Sequence, residues 1–217
     1  MRTPFLCLLV GSIAVAGAAF AQVTSNWPTP SKTSSWPAPS RSVNLGAHFW
    51  DPAYKRDLSR QHLGVDIHAT TKHDVVSPVD GFVIANNTQE SKMTQGKAHV
   101  VIKESGSGWE HVLGHISSTR RVCAVSLFPN KCPESTRVYK GQSLIGRPMP
   151  ANQFPVHVHW GINTKSVSAA GGFFYGTKWK LASGKEWGWG MAPAEAELAM
   201  ACSLGWVNPT SSNKCIR

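Results

Sequence analysis

Three chemical signatures are missing from this 217-residue sequence, and each absence narrows the kinds of site that it can contain. There is no Cys-x-x-Cys pair, which disfavours a cysteine-rich structural zinc site. There is no His-Glu-x-x-His sequence, so no glutamate stands between two histidines on a helix to act as a base in metal-assisted hydrolysis. After the first 21 residues there is no second long apolar run, and we therefore expect no membrane span in the remaining chain.

Residues 1–21 have the composition of a signal peptide. Arg2 is their only charge, residues 5–16 form an apolar run, and residues 19–21 (Ala-Phe-Ala) provide small side chains at the cleavage position. The apolar run is too short for a convincing membrane span. We expect the mature protein to begin near Gln22 and to be secreted or periplasmic.

Acidic residues are scarce, since 12 Asp and Glu face 22 Lys and Arg and leave a formal net charge of +10. This charge favours an anionic partner, namely a cell-wall polymer, a membrane surface or nucleic acid. Nucleic acid is the least favoured, because the protein is expected to be exported and its basic residues are scattered rather than gathered in one patch. We expect a monomer with no nucleic-acid partner, and a role of the charge in solubility alone stays open.

The cysteines predict disulfide bonds in an oxidising compartment. Cys7 lies within the signal peptide, and the other four allow three pairings. Cys123–Cys132 with Cys202–Cys215 is the favoured pairing, because each pair brackets a loop-like stretch. Each bond would stabilise the fold by roughly 2–4 kcal/mol.

Residues 22–44 form a Ser-, Pro- and Trp-rich segment with a short internal repeat. The pattern of residues 25–32 recurs nine residues later in residues 34–41. Alternating prolines favour extended backbone, and the segment has too few apolar residues for a core of its own. We interpret it as a linker or pro-segment, with Trp27 and Trp36 stacking on sugar rings or lying along the domain surface as the alternative.

Residues 45–217 are long enough for one compact domain, and their patterning is mostly β. Residues 98–103 and 109–116 are predicted to form a hairpin across a Ser-Gly-Ser-Gly turn. The one predicted helix covers residues 193–204. Further strands are predicted within residues 74–85 and 138–146.

Two histidines lie one residue apart in the predicted strand of residues 154–162. With a period of two, His157 and His159 share one face with Gly161, and the opposite face carries Val156, Val158, Trp160 and Ile162. Two such imidazoles are roughly 7 Å apart at about 3.3 Å per residue. This spacing suits one metal ligand beside a proton-handling group, or two ligands of one metal, although a polar strand face with incidental histidines is the simpler reading.

A second histidine pattern lies far upstream. If residues 62–67 are extended, His62, Gly64 and Asp66 share one face, and the other face carries Leu63, Val65 and Ile67. Gly64 removes a side chain that would crowd a metal, and imidazole and carboxylate are suitable zinc donors. By itself this motif is a weak signal, since an ordinary strand-edge hydrogen bond explains it equally well.

Together these patterns resemble the lysostaphin-type (LytM-like) zinc metallopeptidases, whose members cleave the peptide part of bacterial peptidoglycan. The resemblance runs from His62 to Ile162 in the order of the family. Its anchors are His-Leu-Gly-Val-Asp at 62–66, Ser-Pro-Val-Asp-Gly-Phe-Val at 77–83, Leu-Gly-His-Ile at 113–116, Lys-Gly-Gln-Ser-Leu-Ile-Gly at 140–146 and His-Val-His at 157–159. It implies an antiparallel β-sheet or sandwich with a groove and a short C-terminal helix.

The resemblance also implies the site. His62, Asp66 and His159 would hold a zinc ion, and a fourth position would stay open for water, as in catalytic zinc sites. His157 and His115 would be the catalytic histidines that do not bind the metal. His157 would act as the base, because no glutamate is available, and His115 would stabilise the developing oxyanion or exchange protons.

The implied function is that of an exported zinc endopeptidase acting on the stem or cross-bridge of peptidoglycan. The sequence departs from the family pattern at Lys72-His73, at Leu113 and in residues 148–155, which bears on the groove walls and hence on the substrate. The aromatic loop of residues 171–190 either covers a substrate or packs on itself. A zinc-retaining wall-binding module and a general secreted protease are the rival functions.

The other histidines are expected to have no part in catalysis. His48, His73, His99 and His111 are predicted to be surface or structural residues. His68 has the strand parity of His62 and Asp66, and a supporting role for it beside the metal is not favoured.

Overall fold

The computed structural model describes residues 45–86, 99–117, 136–150, 155–165, 179–180, 186–187, 190–210 and 215. The predicted signal peptide (1–21), the Trp-Pro segment (22–44) and the Cys123–Cys132 pair lie outside these residues, as does most of the aromatic loop. Along the chain the elements are β1 (Leu45–Ala47), α1 (Pro52–Leu58), β2 (Arg60–His62), β3 (Val65–His68), β4 (Val75–Val76), β5 (Gly81–Asn86), β6 (His99–Glu104), β7 (Glu110–Gly114), β8 (Ile116–Ser117), β9 (Arg137–Val138), β10 (Leu144–Pro148), β11 (His157–Asn163), β12 (Trp179–Lys180), β13 (Glu186–Trp187), β14 (Met191–Pro193), α2 (Leu198–Ser203) and β15 (Trp206–Val207).

Most of these strands belong to one sheet with the order β1-β3-β11-β7-β6-β5-β9, and β15 pairs with β11. The predicted hairpin is confirmed, because β6 pairs with β7 across a turn in which Gly106 and Gly108 have positive φ. Each described strand pair is antiparallel. The chain is therefore mostly antiparallel β with a short helix near the C-terminus, as the sequence analysis predicts.

The main core joins this sheet to a smaller sheet of β4, β10 and β8. Val75 of β4, Ile145 of β10 and Ile116 of β8 cluster with Val158 and Trp160 of β11, all nearly or completely inaccessible to solvent. Burying an aliphatic side chain of this size contributes about 1.5–3 kcal/mol. This apolar layer buries one face of β11, which is an interior strand of the main sheet.

The opposite face of the main sheet is also covered. Val101 and Val112, which pair across β6 and β7, cluster there with Leu63, Trp206 and Ala201. Trp206 arrives on β15, and Ala201 is the buried residue of α2. The C-terminal segment thus packs on the second face of the sheet.

The helix prediction for residues 193–204 is wrong in its extent. Within this range the helix covers Leu198–Ser203, whereas Pro193 ends β14 and residues 194–197 form a turn and irregular backbone. Glu197 at the start of this helix is still extended, with φ −95° and ψ 143°. Contacts with β2 hold the first part of the range out of a helix, since Pro193 pairs with Arg60 and the Gln61 side-chain amide donates to the carbonyl oxygen of Ala194 at 2.8 Å.

Helix α1 was not predicted, although its start has a clear local signal. The Asp51 side chain accepts a hydrogen bond from the backbone N–H of Ala53, and Pro52 occupies the first turn. An Asp cap followed by proline is a common helix beginning. The helix ends at Ser59, which has the left-handed conformation with φ 50°.

The favoured disulfide Cys202–Cys215 is present and ties residue 215 to α2. Among the described residues, no helix is long and apolar enough to cross a membrane.

His111 is a fully buried structural residue in the main sheet. Its Nδ1 accepts a hydrogen bond from the indole N–H of Trp160 at 3.2 Å, and its Nε2 lies 3.7 Å from a carboxylate oxygen of Glu104. Burial lowers the pKa of His111, and the neighbouring Glu104 only partly opposes this effect. The imidazole is therefore neutral in the folded protein at neutral pH.

We expect His111→Gln to reduce the pH dependence of stability. In the unfolded chain His111 takes up a proton below about pH 6.5, whereas the buried imidazole resists it, so the free energy of unfolding falls on acidification. Removing this group should flatten the slope by up to about 1.4 kcal/mol per pH unit below that pH. Urea unfolding between neutral and mildly acidic pH measures the slope, with exposed His48→Gln as the control. Equal slopes for wild type and His111→Gln would contradict the buried neutral state.

Candidate metal centre

The two upstream donors lie on different strands. His62 ends β2, which pairs with β14, whereas Asp66 belongs to β3 in the main sheet. The expectation of one continuous strand with Leu63 on the face of Val65 and Ile67 is wrong, because Leu63 packs in the second cluster and the two others in the main core. The chain turns at Leu63-Gly64, where the Leu63 N–H donates to the carbonyl oxygen of Gly190.

Strand β11 carries the third donor to the same place. It runs between β3 and β7, and its register sets His159 opposite Asp66 on one side and opposite Gly114 on the other. The predicted alternation is confirmed for the residues that face the main core, Val158, Trp160 and Ile162. His159 faces away from that core.

Three donor atoms from these strands form a compact triangle. Nε2 of His62 and Nδ1 of His159 lie 2.9 Å apart, and Oδ1 of Asp66 lies 3.1 Å and 3.2 Å from them. All three residues are buried. In the part of the chain that the structure describes, this is the one group of His, Cys, Asp and Glu that offers three converging ligand atoms.

This triangle fits a zinc ion. Zinc–nitrogen and zinc–oxygen bonds of about 2.0–2.1 Å in a tetrahedron separate neighbouring ligands by about 3.3 Å, close to the observed edges. The Nδ1–H of His62 donates to the backbone carbonyl of His48 at 2.8 Å, which leaves the lone pair of Nε2 directed at the triangle. Three protein donors and a free fourth position are typical of catalytic zinc.

The protonation states suit a metal as well. Burial alone would raise the pKa of Asp66, but the charges and hydrogen bonds of His62 and His159 hold it well below its ordinary value. Burial lowers the pKa of His159, so its imidazole is neutral at neutral pH. The site therefore presents one carboxylate and at least one neutral imidazole, the forms in which these groups bind metal.

His157 and His115 lie beside the triangle. His157 donates from Nδ1 to the carbonyl oxygen of Pro155 at 2.7 Å, and its Nε2 lies 3.8 Å from Oδ2 of Asp66. That Nε2 has no hydrogen-bond partner among the described residues, so its lone pair is available. The ring centre of His115 is 4.5 Å from that of His157 and 6.4 Å from that of His159.

His115 reaches this position through an unusual backbone. It has φ 60° between β7 and β8, in the left-handed region that non-glycine residues seldom adopt. Such conformations persist where the surrounding structure holds them, and they cluster at functional sites. The five predicted site residues therefore come together within one small region.

The other histidines take structural or peripheral positions where they are described. Nδ1 of His73 accepts the backbone N–H of Thr70 within a turn, and His48 is exposed. His68 pairs with His157 across the strands, and its ring lies so close to Gly46 that a side chain there would overlap it. The side chain of His99 is outside the described part.

Tyr54 also contacts the donor triangle, although no sequence motif points to it. Its hydroxyl donates to Oδ2 of Asp66 at 2.5 Å, and its ring stacks on His62 with centres 4.3 Å apart and planes 21° apart. Burial, followed by the charge and hydrogen bond of Asp66, raises the pKa of Tyr54 far above its ordinary value, so it stays protonated. The Asp-Pro helix signal just before it was the available clue.

A glycine was missed too. Gly190 has φ 74°, and a methyl group added to it would overlap Nε2 of His159. Gly64 borders the same imidazole, since a methyl group added to Gly64 would come 2.8 Å from Nε2 of His159. The imidazole of His159 therefore occupies space that only glycines leave free.

Comparison with known proteins gives matches among solved structures alone. No protein-family model and no curated protein sequence matches. A zinc-containing peptidase from Vibrio cholerae has a TM-score of 0.43 and 17% identity over 65% of this chain and 37% of its own. A putative glycyl-glycine endopeptidase LytM from Ruminococcus gnavus has a TM-score of 0.41 and 20% identity over 65% of this chain and 53% of its own. The solution structure of lysostaphin has a TM-score of 0.41 and 15% identity over 57% of this chain and 44% of its own.

The chain thus spans between about a third and a half of the length of these three proteins. Fold and site define an antiparallel β protein with a buried His-Asp-His centre suited to a metal ion. These solved structures, all at 20% identity or less, are proteins to which this chain is similar over part of its length.

We expect Gly190→Ala to weaken zinc binding by displacing His159. A shift of this donor should lower the affinity by about 10–100-fold, the range seen when residues that orient a metal ligand are changed. Gly106→Ala is the matched control, because its φ is +93° but an added methyl group meets no atom within 4 Å. Both variants should lose about 1–2 kcal/mol from the left-handed backbone. Zinc affinity is measured by competition with a chromophoric chelator, and equal affinities for the two variants would refute the argument.

Proposed function

We propose that this protein is an exported, zinc-dependent endopeptidase that hydrolyses peptide bonds in the stem or cross-bridge of bacterial peptidoglycan. The observation that carries the proposal is the buried triangle of His62, Asp66 and His159 with the available Nε2 of His157 beside it. The motif order from residue 62 to residue 162 supports the same activity.

In this proposal the domain organisation follows the sequence. Residues 1–21 are a signal peptide, residues 22–44 a linker or pro-segment, and residues 45–217 a single catalytic domain that acts as a monomer. The net charge, +10 for the full sequence and +9 once Arg2 is removed with the signal peptide, favours contact with an anionic cell wall.

His62, Asp66 and His159 would hold the zinc ion, each through one atom. Zinc at this position would supply Lewis-acid activation of the attacking water and of the scissile carbonyl group. With neutral imidazoles and a single carboxylate as ligands, the zinc centre would keep a net positive charge. This charge would stabilise the oxyanion that develops during attack.

His157 is proposed as the general base. Its Nδ1–H donates to the carbonyl oxygen of Pro155, which fixes the tautomer and leaves a lone pair on Nε2. This Nε2 lies on the side of the ring that is near Asp66. His157 is not part of the donor group, and its Nε2, 3.8 Å from Oδ2 of Asp66, would be close enough to take a proton from a water molecule held at the metal centre. Loss of a positioned base costs about 10²–10⁴-fold in rate.

His115 is proposed as the second catalytic histidine, next to His157. Its ring lies edge-on to both His157 and His159, with ring centres 4.5 Å and 6.4 Å apart, so it borders the metal centre next to the proposed base. In this role it would donate a hydrogen bond to the oxyanion or pass a proton to the leaving amine.

We expect His157→Ala to lose about 10²–10⁴-fold of hydrolytic activity while retaining bound zinc, because the base is removed and the ligands stay. His159→Ala should lose both zinc and activity, and exposed His48→Gln should lose neither. The measurement is mass spectrometry of peptides released from purified sacculi by the zinc-loaded protein, together with the metal content of each variant.

Three outcomes would redirect the proposal. Absence of new peptide ends with zinc-loaded wild type would favour a wall-binding module. Faster cleavage of casein than of sacculi would favour a general secreted protease. Full activity of His157→Ala would assign the base to another group.

A further inference from the structure

Helix α1 is anchored directly beside the metal centre. The Trp50 N–H donates to the carbonyl oxygen of His62 at 2.7 Å, so the start of the helix is bonded to the end of β2. The side-chain cap from Asp51 then fixes the first turn, in which Tyr54 lies. At the other end the backbone N–H of Ser59 donates to the carbonyl oxygen of Tyr54.

Tyr54 contacts two of the three donor residues through different parts of its side chain. The hydroxyl donates to Oδ2 of Asp66 at 2.5 Å. The aromatic ring lies nearly parallel to the imidazole of His62. The third donor, His159, meets the His62 ring edge-on, with planes 71° apart.

The two oxygens of Asp66 therefore have separate partners. Oδ1 faces the two imidazole nitrogens, whereas Oδ2 is engaged by the Tyr54 hydroxyl. A carboxylate without such a partner can rotate about its terminal bond and present both oxygens to a cation, since that torsion is broad. A hydrogen bond to one oxygen removes this freedom.

We propose that Tyr54 is a positioning residue, whose hydroxyl makes Asp66 a one-oxygen metal ligand and whose ring fixes the plane of the His62 imidazole. The inference rests on the metal centre of the proposed function and adds a residue from a helix outside the motifs. If Asp66 bound a metal through one oxygen, coordination positions would remain for water and substrate.

The competing role for Tyr54 is packing alone, and two substitutions separate the roles. Tyr54→Phe keeps the ring on His62 and removes only the hydrogen bond to Asp66. Tyr54→Leu removes both. Tyr139→Phe is the matched control, because Tyr139 is exposed and its ring lies against Arg137.

We expect Tyr54→Phe to weaken zinc binding by about 10–100-fold, the effect typical of removing a hydrogen bond to a metal ligand. Tyr54→Leu should weaken it further, and Tyr139→Phe should match wild type. The cobalt-substituted protein should show an altered visible absorption spectrum in Tyr54→Phe, because the coordination by Asp66 changes. Chelator competition gives the affinity, and urea unfolding of the metal-free proteins gives the stability.

The outcomes are decisive in both directions. The proposal would be overturned if Tyr54→Phe had the zinc affinity and the cobalt spectrum of wild type. It would also be overturned if metal-free Tyr54→Phe no longer folded, since the residue would then be structural. These measurements need no peptidoglycan. If the wild-type protein binds zinc but leaves sacculi intact, the proposed function is refuted. The role of Tyr54 is then still decided by the zinc affinity and the cobalt spectrum of Tyr54→Phe.

Discussion

The buried carboxylate of Asp66 is the constraint on which the rest of the structure depends. An ionised group removed from water costs several kcal/mol unless partners compensate it. Here the partners come from three segments that are distant in sequence, namely Tyr54 on α1, His62 on β2 and His159 on β11. Each of these elements has to be in its place for Asp66 to be stable in the interior. The same contacts that satisfy the carboxylate assemble the candidate metal centre.

Strand β11 shows how one element serves both stability and the site. Its residues Val158 and Trp160 lie in the main core between two sheets, while His159 between them faces the donors. The strand is paired on both sides, by β3 and by β7, so His159 has little freedom to move. His157, nearer the strand end and half-buried, keeps an imidazole nitrogen available. One strand therefore provides both a firmly held candidate metal donor and, two residues away, the imidazole that we propose as the base.

Much of the sheet and of the site was predictable, because period-two patterns report strand faces directly. The β6–β7 hairpin, the strand around His159 and the Cys202–Cys215 bond are present as expected. The helix of residues 193–204 was predicted too long, since Pro193 pairs with β2 and Ala194 accepts a hydrogen bond from the Gln61 side chain, a residue more than a hundred positions away. The prediction that Leu63 shares a strand face with Val65 and Ile67 was wrong for a related reason. The chain passes at that point from the β14–β2 pair to the main sheet, and Leu63 packs in the second cluster.

What the sequence by itself determined is the chemistry: which residues can donate to a metal, which strand faces are apolar, and which local signals begin a helix or a turn. The tertiary structure alone decided the geometry. His62 and His159 are 97 residues apart, and their 2.9 Å approach follows from the register of β11 on β3. The engagement of Tyr54 with Asp66 and the space that Gly190 leaves for His159 also arise from long-range packing. Local patterns cannot encode such contacts, because their energy depends on the whole fold being in place.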